Sequence, residues 1–350
     1  MRVPMIDVNV STDVIASRAM SIVGMLDHAA TSFSSKACVV APERSVTFLQ
    51  FRAEVLNIAS WLHRIGIRPR DRVAILDVNS LNFMLAACAV GAIGAIIVPL
   101  NYRQRVPEMR YQIRDSGARL LLVGSRYDSE AEALASDLEL GARRLDGDVF
   151  QACLSAGDGA ADVELEHNSD SPFAICYTSG TTGNPKGAVI TQRVAHMRAL
   201  KLLYELGLRH DDVMHMTTPM FHISCLMLSL GGLLRGSTQV VAPQFDVDST
   251  LALIGRHGVT FINVVPTILS MILNRPDFTP AMLKGLRVIM YTAAPISFPI
   301  VPGIDFAGVV RDSAAPEFAP ATACCSPAGA WARHGPAVLP NAPGSSPSGC

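Results

Sequence analysis

The sequence predicts an α/β fold in which parallel β-sheets are flanked by helices. Over the first 300 residues, short apolar runs of strand length alternate with stretches whose apolar residues recur every three or four positions. Helices inserted between β-runs are typical of parallel sheets that carry helices on their faces. The chain has 350 residues, of which 49% are hydrophobic, so it can form one large domain or two ordinary ones.

The clearest helix start lies at Thr47. Its hydroxyl can accept a hydrogen bond from the backbone N–H of Gln50 while the Gln50 side chain reaches back, which is a capping box. Apolar residues then recur at helical spacing as far as Leu62, and the helix is expected to end near Gly66. The other predicted elements alternate along the chain: strands at 72–76, 95–99, 118–123 and 260–265, and helices at 81–90, 107–116, 192–206 and 250–258.

One segment, 83–100, carries no charge and is long enough to be considered as a membrane span. However, it is rich in alanine, Gly91 and Gly94 interrupt it, and Ile96–Pro99 has the character of a strand. A buried helix that leads into a parallel strand accounts for this pattern better. No transmembrane segment is therefore predicted.

Composition and cysteine usage restrict the class of protein. Lys and Arg together number 29 against 30 Asp and Glu, and no basic run interleaves with aromatic residues, so nucleic-acid binding is not expected. The eight cysteines form no Cys-x-x-Cys pair and most lie in apolar runs, which indicates free thiols in a reducing compartment. The N-terminus lacks the features of a signal peptide. A cytoplasmic protein is predicted, and nothing in the sequence sets its oligomeric state.

Residues 177–187, Tyr-Thr-Ser-Gly-Thr-Thr-Gly-Asn-Pro-Lys-Gly, are the most informative part of the chain. Glycine lets backbone amides approach oxygen atoms closely, and successive amides form an anion-binding concavity. The flanking runs 172–178 and 187–191 have the pattern of short buried strands. A strand-to-strand connection over the phosphates of a nucleotide is therefore predicted, although such a cluster between apolar runs is also typical of an ordinary loop.

This segment is not a Walker A loop, which requires Gly-x-x-x-x-Gly-Lys-Ser/Thr, because here glycine follows Lys186. It matches Thr-Ser-Gly-Thr-Thr-Gly-x-Pro-Lys-Gly without a break. The chain thereby resembles the adenylate-forming superfamily, which includes the acyl-CoA synthetases.

Three further segments resemble the same family. Residues 79–125 are similar over their whole length, and Pro219–His222 matches the family's Pro-x-x-His segment. Residues 291–295 resemble its adenine-side turn, with Thr292 and Ala293 in place of the usual Gly-Ala pair. The resemblance covers about the first 297 residues, from near residue 15.

The resemblance implies a two-step chemistry. A carboxylate reacts poorly with a thiol because its leaving group is poor. Coupling to ATP gives an acyl-adenylate and releases pyrophosphate, and a thiol such as coenzyme A then takes the acyl group. Both steps concentrate negative charge, which fixed N–H dipoles, lysine and Mg²⁺ stabilise. The implied partners are ATP, Mg²⁺, coenzyme A and a small-molecule carboxylic acid, fatty or aromatic.

The resemblance also implies roles for individual residues. The ATP phosphates are expected to be held by Thr178, Ser179, Gly180, Thr181, Thr182, Gly183 and Lys186. The adenine is expected to be bordered by Ala293, Ala294 and Pro295. His222 is expected to line the acyl pocket and is, with Lys186, a candidate catalytic residue. Taken alone, Lys186 also fits a solvated loop lysine, and His222 fits a half-buried structural side chain.

The C-terminal part departs from the family. No Tyr-Gly-x-Thr-Glu, Thr-Gly-Asp or Asp-Arg motif follows Pro295, so the lid-like small C-terminal domain is expected to be missing. Residues 298–320 instead resemble acrylyl-CoA reductase-like quinone oxidoreductases, on Phe-Pro-x-Val-Pro-Gly-Ile-Asp-Phe-Ala-Gly. One choice of codons for residues 321–333, read two bases later, gives the peptide expected next in that family, which predicts a frameshift near Pro320.

The expected domains are an incomplete adenylate-forming large domain at 1–297, a reductase-like fragment at 298–320 and an Ala/Pro/Gly-rich disordered tail at 321–350. A truncated chain of this kind is expected to be impaired or inactive. Two alternatives stay open. One is a nucleotide- or acyl-binding protein without catalysis, and the other is a reductase-related fusion protein, although no Gly-x-Gly-x-x-Gly follows a strand.

Overall fold

The computed structural model describes residues 18–155, 163–178, 184–291, 308–310 and 322–325. The strands in these ranges are β1 Ala37–Val40, β2 Ser45–Thr47, β3 Arg72–Leu76, β4 Ile96–Pro99, β5 Ala118–Val123, β6 Ala142–Arg144, β7 Pro172–Thr178, β8 Lys186–Thr191, β9 Val213–Met216, β10 Thr238–Val240, β11 Phe261–Val264, β12 Val288–Tyr291, β13 Gly308–Val310 and β14 Thr322–Cys325.

The α-helices of the described residues alternate with these strands, as the sequence predicts. They are α1 Ile22–Ser32, α2 Phe48–Arg64, α3 Leu81–Ala92, α4 Val106–Ser116, α5 Asp128–Leu134, α6 Asp148–Ser155, α7 Gln192–Leu206, α8 Ile223–Arg235, α9 Val247–His257 and α10 Pro266–Leu273.

Two sheets organise the fold. The first has six strands in the order β6-β5-β3-β4-β7-β8, and all neighbours are parallel except β7 and β8. The second has eight strands in the order β13-β14-β12-β11-β9-β10-β1-β2, and its antiparallel pairs are at the two edges. The predicted α/β class with mainly parallel sheets is therefore confirmed.

Three apolar clusters place helices on both faces of each sheet. The largest cluster joins side chains of both sheets, such as Ile75 and Phe261, through α1, α2, α3, α7 and α8, so these helices form a layer between the sheets. A second cluster packs α4 and α5 on the other face of the six-stranded sheet. The third packs α9 and α10 on the other face of the eight-stranded sheet.

The predicted start of α2 is confirmed in detail. The Gln50 backbone N–H donates to Thr47 Oγ1 at 3.2 Å, and the Thr47 N–H donates to Gln50 Oε1 at 2.8 Å. Two of the otherwise unpaired donors at this helix end are satisfied by each other's side chains.

The uncharged segment 83–100 forms most of α3 and all of β4, as predicted, and every residue in it is buried. α3 is apolar on all sides because it lies within the layer between the sheets. Among the helices that the structure describes, none has the length and apolar character needed to cross a bilayer.

One prediction about the glycine-rich segment is wrong. β8 was expected to be buried, but residues 186–189 are exposed, and Val189 keeps 60% of its surface in contact with solvent. β8 is the edge strand of the six-stranded sheet and pairs with β7 alone among the described strands. Its apolar sequence is that of a strand, but its position leaves it uncovered.

The prediction of free cysteines in apolar surroundings is confirmed where the structure describes their side chains. Five cysteines are free and buried: Cys38, Cys88, Cys153, Cys176 and Cys225. In the region predicted to be a disordered tail, β14 is a short strand that pairs with β12 and β13. The rest of the predicted tail, and most of the predicted fragment at 298–320, lie outside the described residues.

Candidate functional site

The glycine-rich segment connects the two strands of a hairpin, as the sequence predicts. β7 and β8 are antiparallel, and Thr178 lies opposite Lys186 in their register. The Thr178 hydroxyl donates to the Lys186 carbonyl oxygen at 3.4 Å, so the two described ends of the segment face each other. The predicted phosphate contacts between them, Ser179, Gly180, Thr181, Thr182 and Gly183, lie outside the described residues.

Gly187 is required here for close packing. It lies opposite Tyr177 in the hairpin, and a Cβ at this position would be 2.7 Å from Ile175 Cγ2 and 3.2 Å from the Tyr177 ring. Real Cβ atoms essentially never come as close as 2.7 Å to another heavy atom. The final glycine of the motif therefore makes room first for the Ile175 side chain and also for the Tyr177 ring.

A cleft of about 570 Å³ opens where β4 and β7 end, between α4 and the start of α8. Two predicted site residues, Thr178 and His222, line this cleft together. Lys186 is exposed and directly follows Pro185, which also lines it. The remaining lining residues are Pro99, Asn101, Gln104, Glu108, Gln112, Cys176, Tyr177, Phe221 and Ile223. The volume is in the range of ligand pockets.

His222 is held at the start of α8 as its N-cap residue. The Ser224 backbone N–H donates to His222 Nδ1 at 3.3 Å, and the Ser224 hydroxyl lies 2.8 Å from the same nitrogen. Desolvation by the surrounding protein lowers the pKa of His222. The ring is therefore neutral at pH 7, and because Nδ1 accepts a hydrogen bond, the proton is on Nε2.

Asn79 fixes the segment that precedes His222, and sequence reasoning did not assign it a role. Its amide Nδ2 donates to the Thr218 carbonyl oxygen at 2.9 Å, and its Oδ1 accepts from the Met220 N–H at 2.6 Å. Asn79 is 4% exposed. It lies in the segment 79–125 that resembles the family, and that resemblance was the one signal able to identify it.

Two tyrosines link the two ends of the glycine-rich segment to α4, and their roles were also missed. Tyr111 on α4 donates its hydroxyl to the Pro185 carbonyl oxygen at 3.2 Å. Tyr177 on β7 donates its hydroxyl to Asp115 Oδ2 at 2.6 Å. The contacts join residues 62 and 74 positions apart in sequence, so no local pattern predicts them.

The adenine-side residues are not placed. Tyr291 ends β12, opposite Val264 of β11, and Ala293, Ala294 and Pro295 lie outside the described residues. No group of three or more His, Cys, Asp or Glu side chains in the described ranges is arranged to hold a metal ion.

The relatives of this chain have the expected chemistry. The sequence profile described as "AMP-binding enzyme" matches residues 26–301. The chain is 32% identical to a feruloyl-CoA synthase of an Amycolatopsis species, over 72% of this chain and 50% of that protein. It is 29% identical to the long-chain-fatty-acid–CoA ligase FadD13 of Mycobacterium tuberculosis, over 78% of this chain and 55% of that protein.

A solved structure agrees with the sequence relatives. The inhibitor-bound N-terminal domain of FACL13 from M. tuberculosis matches with a TM-score of 0.75 at 28% identity, over 80% of this chain and 72% of that one. The chain spans about half the length of the curated relatives it matches. The profile match runs past the predicted boundary at residue 297, and these relatives lend no support to a reductase-like fragment. The chain belongs to the family of AMP-binding enzymes, and its named relatives are acid–CoA ligases.

Proposed function

We propose that this chain uses ATP to activate a carboxylic acid as an acyl-adenylate, which then passes its acyl group to coenzyme A. The proposal rests on one observation: Thr178 and His222 line the same cleft, and Lys186 lies opposite Thr178 and directly follows Pro185, which also lines it. His222 lies well downstream of the glycine-rich segment in the sequence, yet it lines the same cleft as Thr178 and Pro185. This supports a proposed phosphate-binding segment beside a neutral histidine. That combination suits a site where a carboxylate meets a polyphosphate.

In the proposed first step, a carboxylate oxygen of the acid attacks the α-phosphorus of ATP. A new P–O bond forms, the bond to the β-phosphate oxygen breaks, and pyrophosphate leaves. In the second step, the thiol sulfur of coenzyme A attacks the acyl carbonyl carbon, and AMP leaves with the oxygen that joined it to the acyl group. The thiol loses its proton in this step.

The proposed roles follow the geometry of the hairpin. Thr178 and Lys186 stand at the two ends of the glycine-rich segment, where an ammonium and a hydroxyl can bind phosphate oxygens. We propose the same phosphate role for Ser179, Gly180, Thr181, Thr182 and Gly183, and the adenine-side role for Ala293, Ala294 and Pro295.

His222 is proposed to line the acid's part of the cleft. As a neutral ring that lines the cleft, it can place a hydrogen-bond donor near an oxygen of the reacting group without adding a charge. Its α8 helix also begins beside the cleft, so the positive end of the helix favours developing negative charge there.

We propose that Mg²⁺ enters bound to the phosphates of ATP. Magnesium is commonly held by substrate phosphates with few protein ligands. For the acid we propose a fatty or aromatic carboxylic acid, because the named relatives act on feruloyl and long-chain fatty substrates. The buried free thiols support a reducing, cytoplasmic location.

The test is release of pyrophosphate when the purified chain is mixed with ATP, Mg²⁺ and a panel of fatty and aromatic acids. Acid-dependent release supports the proposal. The same assay is run on a version extended by the C-terminal domain of a relative, which measures how much turnover depends on that domain. ATP binding without pyrophosphate release in either version would instead identify a non-catalytic nucleotide-binding protein, and no ATP binding would refute the proposed function.

A further inference from the structure

The helix α4 contacts both flanks of the glycine-rich segment. On one side, Tyr177 directly precedes Thr178 and donates its hydroxyl to Asp115 Oδ2 at 2.6 Å. On the other side, the Tyr111 hydroxyl donates to the carbonyl oxygen of Pro185 at 3.2 Å, and Pro185 directly precedes Lys186. One rigid helix therefore fixes the positions from which the segment leaves β7 and returns to β8.

The two contacts are coupled through their rings. The Tyr111 and Tyr177 rings meet edge to face, with centroids 6.4 Å apart. Tyr177 in turn packs over Gly187, where a Cβ would be 3.2 Å from its ring. A shift of either tyrosine thus displaces both strands of the hairpin. Such ring contacts add to the hydrogen bonds and favour one geometry.

The hairpin needs an external anchor because of where it lies. β8 is exposed along residues 186–189 and, among the described strands, pairs only with β7. Neighbouring strands on both sides fix a central strand, whereas an edge strand keeps more freedom. Hydrogen bonds from α4 reduce that freedom near the phosphate-binding residues. The pKa of Tyr177 is raised by desolvation and by its bond to Asp115, so its hydroxyl stays protonated and remains a donor.

We propose that Tyr111, Tyr177 and Asp115 form a clamp that positions the flanks of the glycine-rich segment for nucleotide binding. This inference rests on the proposed function, which identifies ATP as the ligand. The positioning itself is argued from the contacts described above. The clamp residues act through Thr178 and Lys186 and are positioning residues. Fixing these flanks before ATP arrives lowers the ordering cost of binding.

The experiment uses Tyr111→Phe and Tyr177→Phe, which remove only a hydroxyl each. Tyr204→Phe is the matched control, because Tyr204 is 83% exposed on α7. Isothermal titration with Mg·ATP measures affinity and stoichiometry. Hydrogen exchange of peptides covering 172–191, without nucleotide, measures how firmly the hairpin is held.

Each clamp variant is expected to raise the Kd for ATP about three- to tenfold, the equivalent of one lost hydrogen bond, and to speed exchange in the hairpin. The control should change neither quantity. A merely structural role predicts a lower stoichiometry with an unchanged Kd, and this result would overturn the proposal. If the parent chain itself binds no ATP, the proposed function fails, and the clamp is then tested by hydrogen exchange alone. Faster exchange of the hairpin in Tyr111→Phe would support the clamp, and unchanged exchange would refute it.

Discussion

The buried ion pair between Asp212 and Arg287 should contribute more to stability than any exposed pair in the described part of the chain. Asp212, Thr260 and Arg287 each stand immediately before one of the neighbouring strands β9, β11 and β12. Asp212 is 2% exposed, and its carboxylate accepts hydrogen bonds from both other side chains, at 2.7 Å from Thr260 Oγ1 and 3.0 Å from Arg287 Nε. It therefore ties the amino ends of three strands together.

The substitution Arg287→Met leaves this carboxylate buried without its cation. Breaking a buried pair in this way costs about 3–5 kcal/mol. Because the Arg287 side chain keeps 20% of its surface exposed, we expect the lower end, about 3 kcal/mol. Arg275→Met is the matched control, since the acidic partners of Arg275 are 79% and 59% exposed, and it should cost no more than about 1 kcal/mol.

Urea unfolding followed by circular dichroism measures both variants. With a slope of about 3 kcal/mol/M, the midpoint of Arg287→Met should fall by about 1 M, with the slope unchanged. Burial alone would raise the pKa of Asp212, but the hydrogen bonds from Arg287, Thr260 and the Arg209 N–H outweigh it, and the pKa is lowered. The parent chain should therefore be more stable than Arg287→Met by the full amount above about pH 4. This difference in unfolding free energy should be lost as the pH falls through the pKa of Asp212 in the folded state. Equal midpoint shifts for Arg287→Met and Arg275→Met at pH 7 would refute this reasoning.

Three further predictions concern the site and its surroundings. Lys186→Ala should raise the Kd for Mg·ATP about tenfold or more in calorimetry, while the melting temperature stays unchanged because Lys186 is exposed. Gly187→Ala should destabilise the chain by about 1–3 kcal/mol in urea, whereas Gly255→Ala should not, because a Cβ at Gly255 would have no atom within 4 Å. Burial raises the pKa of Asp77 to about 6, against the hydrogen bond from Ser80. Its share of stability should therefore fall as the pH rises from about 4 to above 6, and Asp77→Asn should remove that slope from a pH series of unfolding curves.

Local signals in the sequence were enough to predict just under half of the described helices and strands. The capping box at Thr47 sets the start of α2, and the segment 83–100 was identified as a buried helix and strand from its glycines and its strand-like end. The relation of the two sheets was not predictable, because the layer of helices between them depends on contacts between distant segments.

For the site too, local features were predicted from the sequence, whereas features that depend on distant contacts were not. The motif at 177–187 predicted a hairpin, and the structure has one. The exposure of β8 was missed because its apolar residues are of the same kind as those of a buried strand. Only the position of β8 at the edge of the sheet makes it exposed. Tyr111 and Asn79 were missed because their partners lie far away in sequence, and a side chain that acts across 74 or 141 positions leaves no periodic trace.

The rim position of β8 matters for anyone who wishes to re-engineer the protein. Ala188 and Val189 face solvent on a strand that, within the described part of the chain, is bonded to β7 alone. Randomising these two codons should therefore leave the parallel core intact while changing the surface next to Lys186. A combinatorial library at this rim would search for altered ligand preference with little loss of folded clones.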